Sequence, residues 1–447
     1  MLTHMHGNIF TFILFGKRLT PFLGIQGNNF ILDGRLQDLN AENIYGPLTK
    51  PIFGEGIAFD CPNSKLMEQK RFIKFGLTSA SLQSYAPLVE AEVLDYIGTA
   101  SAFQGREGVI DIAAAMAEIT IFTAGRTLQG KEVRAKLTAE FAHLYRELDL
   151  GFNPINFLMP WIPLPHNRRR DAAHATMKSI YLTIIDQRRT NIGQEKGELD
   201  MIDHLMGCVY KNGTPMPDSE VASMMITILM AGQHTSASAS SWIMLRLASR
   251  PDMVDKLYQE QVQKLGHNRT RPIQYEDLAK LKLLQSVIKE TLRVHSSIHT
   301  LMRQVTNPIP VPNTDYVVTA DKVLVASPTF THLMEEYFPD PLTWDPNRWI
   351  ESADEDAEDE KVDYGFGVVS KGTCSPYLPF SAGRHRCVGE KFAYMNLLTI
   401  VSIMIRHFTF STVDGKETVP PTDYTSMFSR PVQPAEIRWK RRLLHIE

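Results

Sequence analysis

Between Val221 and Leu245 the chain carries no Lys, Arg, Asp or Glu. A helical run of that length can cross a bilayer, whose hydrocarbon core needs about 20 apolar residues. Its middle argues against lipid. Gly232-Gln233-His234-Thr235-Ser236, followed by Ser238, Ser240 and Ser241, is polar, and polar groups at mid-span are costly in a membrane. The alternative is a helix that is apolar all round because protein surrounds it. That reading sets the architecture: a large, mainly α fold built around one central helix, with small β sheets at its edges. Asp218 or Ser219 is expected to cap the helix, and Arg246 marks its end.

The 447 residues have room for one large domain or a few ordinary ones. A formal net charge of −3 leaves no basic footprint for nucleic acid. Four cysteines, Cys61, Cys208, Cys374 and Cys387, make no disulfide framework in so long a chain and no Cys-x-x-Cys pair. A reducing compartment is the simplest reading. Neither a signal peptide nor an apolar run of about 20 residues lies near Met1.

Pattern supplies the other elements. Ile9 to Phe15 and Leu19 to Leu23 read as a hairpin. Apolar residues recur at helical spacing over 64–150 and again from Asp171 to Met206. Between them, Pro154, Pro160, Pro163 and Pro165 force a loop or broken helix. A second hairpin is predicted over Tyr316 to Ala326, turning at Ala320-Asp321. The stretch from Phe338 to Phe380 is rich in Pro and Gly and reads as irregular. Its acidic part, Glu351 to Asp363, is expected to be a solvated surface insertion. A last helix is expected from about Cys387 to His407.

Cys387 stands in Phe380-Ser381-Ala382-Gly383-Arg384-His385-Arg386-Cys387-Val388-Gly389. Gly383 and Gly389 allow the backbone close approach to a flat group. The flanking cations favour a thiolate, as do the amides of the helix that follows. Such a sulfur suits an iron ligand that pushes electron density toward O–O cleavage. The pattern Phe-x-x-Gly-x-His-x-Cys-x-Gly resembles the haem-binding loop of cytochromes P-450. The resemblance implies that fold, as a single domain over residues 1–447, with haem b held between the Cys387 loop and the central helix. Cys387 would bind the iron, with Phe380, Gly383 and His385 in the loop around it.

Within the central helix, Thr235 can donate its hydroxyl to the carbonyl four residues back. Gly232 leaves space beside it, and His234 can move protons near neutral pH. These residues read as catalytic, shaping dioxygen binding and proton delivery. The Ala231-Gly232-Gln233-His234-Thr235-Ser236 block resembles the sterol 14α-demethylases, fungal members most closely, which carry histidine where other cytochromes P-450 carry an acid. Residues 45–78, with Tyr45-Gly46-Pro47, Phe53-Gly54, Asp60-Cys61-Pro62-Asn63 and Lys70, extend the match. His295 to Arg303 and Ser426-Met427-Phe428 continue it.

This narrower resemblance implies oxidative removal of a sterol 14α-methyl group, from lanosterol or eburicol, in ergosterol biosynthesis. Tyr45, Lys70, Arg303 and His385 would meet the haem propionates. Phe53, Phe59, Ala231, His299, Met427 and Phe428 would line the substrate cavity. Glu290 and Arg293, at i and i+3, would join Arg348 in a buried scaffold. With no Gly-x-Gly-x-x-Gly after a strand, electrons would come from an NADPH–cytochrome P-450 reductase. Azole-type inhibitors, a monomeric state and the cytosolic face of the endoplasmic reticulum are further implications. The alternatives are a monooxygenase of another lipid or xenobiotic and a non-catalytic haem- or sterol-binding paralogue.

Two departures from the family pattern stand out. Phe59 replaces the usual tyrosine, removing a hydroxyl from the haem edge. The chain also starts inside the family pattern, which leads to the expectation that an anchor and the first helices are missing and the substrate entrance is more open.

Overall fold

The computed structural model describes residues 7–442, apart from 15, 138, 160–161, 191–199, 267–270 and 351–359. Its strands are β1 (Phe12–Leu14), β2 (Lys17–Phe22), β3 (Leu39–Asn40), β4 (Glu107–Asp111), β5 (Leu301–Val305), β6 (Ile309–Pro310), β7 (Val317–Val318), β8 (Lys322–Ala326), β9 (Lys361–Asp363), β10 (Val368–Ser370), β11 (Phe408–Thr412), β12 (Thr422–Asp423), β13 (Arg430–Pro431) and β14 (Glu436–Arg441). The helices that position the site are α1 (Gly24–Leu32), α2 (Glu42–Phe53), α3 (Asn63–Phe75), α4 (Ser79–Thr99), α5 (Ile112–Ala124), α6 (Ala139–Asp149), α7 (Pro165–Thr190), α8 (Asp218–Ala248), α9 (Lys282–Val294), α10 (Pro328–His332) and α11 (Glu390–His407).

The uncharged run is the 31-residue α8. It packs against α5, α7, α9 and α11, so apolar side chains find protein on nearly every side. Among the described residues no helix is long and apolar enough to cross a membrane. The cap differs from the expectation. Pro217 occupies the N-cap with no side-chain bond, because Asp218 turns outward and accepts from Arg189 Nε of α7 at 3.0 Å.

One large apolar cluster unites α4, α5, α7, α8, α9 and α11, and includes the fully buried Trp242, Tyr181 and Ile243. Burying a side chain of that size is worth about 1.5–3 kcal/mol, so this centre rather than the small sheets carries the fold. The five-stranded sheet runs β1-β2-β8-β5-β3, with β2 and β8 parallel. A three-stranded sheet, β11-β14-β4, joins residues 107–111 to the C-terminal strand.

The first hairpin forms as expected, β1 against β2. The second does not. β7 pairs with β6, while β8 inserts between β2 and β5. Ala320-Asp321 lacks the glycine or asparagine that a tight two-residue turn needs, and Val323 to Ala326 are buried, as befits a central strand. The helical stretch 64–150 also holds β4 and a π turn at Gly125–Gln129. The proline-broken segment contains only the short helix Pro154–Leu158 before α7 begins at Pro165. Most of the acidic insertion, 351–359, lies outside the described residues. The last helix starts at Glu390 with Gly389 as N-cap, so Cys387 precedes it.

Candidate active site

Helix α8 is not sealed along its whole length. Thr227, Ala231 and Thr235, spaced by four, are at least partly accessible, and Ala231 is exposed in the middle of a largely buried helix. Residues four apart share a face, so this stripe opens onto an internal space. Thr235 Oγ1 donates to Ala231 O at 2.9 Å, the back-bond expected from sequence. A side chain at Gly232 would meet only Leu128, at 3.4 Å.

His234 faces elsewhere. Its ring stacks on Phe428 with centroids 5.1 Å apart and lies 5.0 Å from Tyr145. Nε2 is 3.2 Å from Asp149 Oδ1, although the approach lacks hydrogen-bond geometry. Arg430 reaches the same carboxylate at 3.2 Å. Burial pushes the His234 pKa down to about 4; Asp149 opposes the shift and Arg430 adds to it. Thr235 and His234 are therefore neighbours in sequence with different surroundings. The partners Tyr145, Asp149 and Arg430 escaped the sequence reading, since nothing local ties α6 or β13 to α8.

The Cys387 loop is fixed by its own backbone. Cys387 N donates to Phe380 O at 3.0 Å, and Arg386 N to Gly383 O at 3.0 Å. Gly383 has φ of +64°, and a Cβ there would stand 2.4 Å from Leu32 O. Contact with α1 and the left-handed backbone therefore already require glycine there. Gly389 lies beside the sulfur, where an added Cβ would be 3.7 Å from Sγ.

Cys387 is exposed, yet burial is the largest influence on its thiol and raises the pKa. Both hold only for a sulfur in an enclosed recess. The Gly389 amide, Lys70 and Arg386 push the other way, while Glu390 adds to the rise. The expected cation ring is therefore weaker than its sequence suggests. Arg386 is paired with Glu390 at 2.9 Å, and Arg384 donates to Gly34 O at 3.3 Å. Burial, then Arg303, Lys70 and Arg384, hold His385 well below the usual histidine range, so it is neutral.

Around His385 cations gather, and among the described residues none of Arg303, Arg384 and Lys70 has a carboxylate at ion-pair distance. Arg303 is 4% exposed, and its Nη1 donates to Met302 O at 2.8 Å. Burial lowers its pKa; Tyr45 and Glu42 oppose, and Arg384 adds. The Tyr45 hydroxyl oxygen accepts from Met302 N at 2.9 Å and keeps its own proton to give. Lys70 Nζ donates to Arg384 O at 2.7 Å and Arg386 O at 2.9 Å, bracing the cysteine loop.

A family-implied haem can be tested against these features. An enclosed thiol, an open stripe on α8 and a buried cation cluster lacking a carboxylate partner fit a flat metal macrocycle with an anionic edge. A buried guanidinium with only a carbonyl partner is costly, and a carboxylate would relieve it. A bound metal would also deprotonate the thiol outright.

The expected cavity residues connect through rings. The His234 ring meets those of Phe428, Tyr145 and Phe152, and Phe152 in turn meets Phe428 at 5.3 Å and Phe53 at 5.9 Å. Phe59 lies 5.1 Å from Tyr45 and 5.8 Å from His385. Met427, like Phe59 and Met302, packs against the small apolar cluster that holds Tyr45. His299 Nε2 sits 3.3 Å from Ser426 O, and its ring meets Tyr424 edge-on.

The scaffold assembles as anticipated. Glu290 and Arg293 are both 0% exposed and 2.8 Å apart; Arg348 Nε reaches Glu290 Oε1 at 3.2 Å. Sequence reasoning missed the rest. Trp349 Nε1 and the Asp345 amide also donate to Glu290, each at 2.9 Å, and Arg293 caps the carbonyls of His332, Pro341 and Thr343. The Trp-Asp-Pro-Asn-Arg-Trp run that holds Arg348 was the available signal for the first two.

A family model described as cytochrome P450 matches residues 1–439, and the chain belongs to that family. A retinoic-acid-bound cyanobacterial CYP120A1 shares the fold, with a TM-score of 0.80 at 19% identity over 99% of this chain and 93% of the other. Within the family the chain groups with the sterol 14α-demethylases. It is 61% identical to sterol 14-alpha demethylase CYP51A of Gibberella zeae, over 98% of this chain and 87% of the relative. A sterol 14-alpha demethylase of Aspergillus flavus is 63% identical over 98% and 85%. An eburicol 14-alpha-demethylase of Penicillium italicum is 56% identical over 98% and 86%.

Proposed function

We propose that this chain is a haem-thiolate monooxygenase that removes the 14α-methyl group of a sterol, lanosterol or eburicol, by three successive oxidations. The methyl becomes an alcohol, then an aldehyde, then leaves as formate with a 14–15 double bond. Each oxidation takes one dioxygen, two electrons and two protons. The single observation that carries the reading is full-length identity above half to enzymes named for this reaction, on a chain that has the thiol recess to perform it.

Bound haem would supply dioxygen activation, with the Cys387 thiolate as its electron-donating ligand. The chain's own residues have the other tasks. Cys387 would hold the iron, and Arg303, Tyr45 and His385 the propionate edge, with Lys70 bracing the loop. Ala231 and Gly232 keep the open stripe of α8 free of bulk. The Thr235 hydroxyl is already committed to Ala231 O, so it loosens the helix there and leaves its oxygen as an acceptor. His234, neutral by burial, would pass protons from the Asp149–Arg430 pair toward the helix. Phe53, Phe59, His299, Met427 and Phe428 would enclose the apolar sterol and exclude water.

Electron supply from an NADPH–cytochrome P-450 reductase, work at the endoplasmic reticulum membrane, susceptibility to azole-type inhibitors and a monomeric state belong to the same proposal. Reconstitution with reductase and either sterol is expected to give formate and the 14-demethylated product. Replacing the ligand, Cys387→Ser, is expected to abolish both turnover and the thiolate Soret band of the reduced carbon-monoxide complex. A wild-type protein with that band but no sterol turnover would instead identify a haem-binding paralogue.

A further inference from the structure

His332, the last residue of α10, is 0% exposed, and no role in the chemistry above uses it. It joins three parts of the molecule. Its Nε2 receives the Leu378 amide proton at 2.8 Å. An amide can only donate, so Nε2 must be the bare nitrogen and Nδ1 must carry the hydrogen. Nδ1 lies 3.1 Å from Ser296 Oγ and 3.2 Å from Arg293 O. Ser296 spends its own proton on Leu292 O at 3.0 Å, so its oxygen accepts. The ring is thereby fixed in tautomer and orientation. It is also kept neutral: burial pushes the pKa down to about 3, the Arg293 carbonyl opposing and the Arg293 charge assisting.

Leu378 leads directly into the cysteine loop. Its carbonyl accepts from Ser381 N at 3.1 Å, and Ser381 adopts φ of +62° to turn the chain. Between them stands Phe380, whose carbonyl accepts the Cys387 amide at 3.0 Å. On the other side, Ser429 Oγ donates to Ser296 O, and Ser238 of α8 donates to Ser429 O at 2.7 Å. A continuous set of hydrogen bonds thus runs from the central helix through Ser429, Ser296 and His332 to the peptide that anchors the sulfur.

We propose that His332 is a positioning residue for the thiolate: its Nε2, held by α9, fixes the Leu378–Phe380 segment from which Cys387 is hung. The inference rests on Cys387 being the axial ligand. A residue filling space would tolerate any side chain of similar size. A residue acting through Nε2 requires an acceptor at that place. Glutamine can present its oxygen where Nε2 stands; asparagine can replace only the Nδ1 side.

The test compares haem-loaded wild type, His332→Gln and His332→Asn. The readouts are the carbon-monoxide spectrum of the reduced protein, the thermal unfolding midpoint and exchange of the Leu378 amide in the wild type. We expect a several-fold smaller share of the thiolate-ligated form in His332→Asn than in His332→Gln, at similar unfolding midpoints, and a strongly protected Leu378 amide. Equal shares in the two variants overturn the proposal. If either variant fails to accumulate, the exchange measurement decides, and an unprotected Leu378 amide overturns it. A wild type without the thiolate band would sink the Cys387 assignment itself and this inference with it.

Discussion

Two clusters of buried charge differ in how completely they are satisfied. Around Glu290, carboxylate oxygens receive Arg293, Arg348, Trp349 and the Asp345 amide, and Arg293 spends its remaining protons on carbonyls. Around His385, three cations converge, and among the described residues the buried Arg303 donates to a neighbouring carbonyl alone. Full satisfaction makes a rigid, self-contained strut. Incomplete satisfaction marks a place where the fold is finished by something that is not protein. The first cluster holds the scaffold, and the second is the one proposed to meet the anionic edge of haem.

That contrast can be broken. The largest effect is expected at the strut. Glu290→Gln leaves Arg293 and Arg348 without their counter-charge and should cost about 3–5 kcal/mol of stability, read from denaturant midpoints. Arg303→Leu should do the opposite kind of damage. Unfolding of the haem-free protein should change little, because an uncompensated buried charge is removed. Haem should leave faster, by roughly 10- to 100-fold if about 1.5–3 kcal/mol of charged hydrogen bonding is lost. Equal effects of both substitutions on haem-free stability would erase the distinction.

Acid should sharpen it further. His234 and His332 have depressed pKa values in the folded protein, about 4 and about 3, against about 6.5 when unfolded. The unfolded chain therefore binds protons first. Their contribution is fully present above about pH 6.5 and falls with acidification by about 1.4 kcal/mol per pH unit for each histidine. Unfolding midpoints measured from pH 7 to pH 5 should decline accordingly, and less steeply in His332→Gln. The smallest effect is expected at Phe59. Phe59→Tyr restores one hydroxyl near Tyr45 and His385, worth about 0.5–1.5 kcal/mol. Small polar haem-site inhibitors should bind up to about tenfold more tightly, and unchanged dissociation constants would remove that role.

Much of this was legible in the residues. The cysteine loop, the back-bonding Thr235 and the Glu290–Arg293 pair are local patterns, and local patterns survive folding. The uncharged run announced a buried helix because its polar centre made lipid untenable. What could not be read were partnerships across long separations. Nothing near Asp149 foretells His234, and nothing near His332 foretells Leu378. The pairing of β8 was misread as a hairpin because alternation identifies a strand without naming its neighbour. The protein partners of Lys70, the carbonyls of Arg384 and Arg386, could not be read either, since more than 300 residues separate them from it in the chain.

The sheets impose an order on biosynthesis. Residues 17–22 pair with 322–326, and 107–111 pair with the closing strand 436–441. Contacts so far apart in the chain are slow to form. The wall that carries Arg303 therefore cannot close until residues 322–326 have been made, and the second sheet waits for residues 436–441. Haem capture should accordingly wait until both long-range pairings are in place.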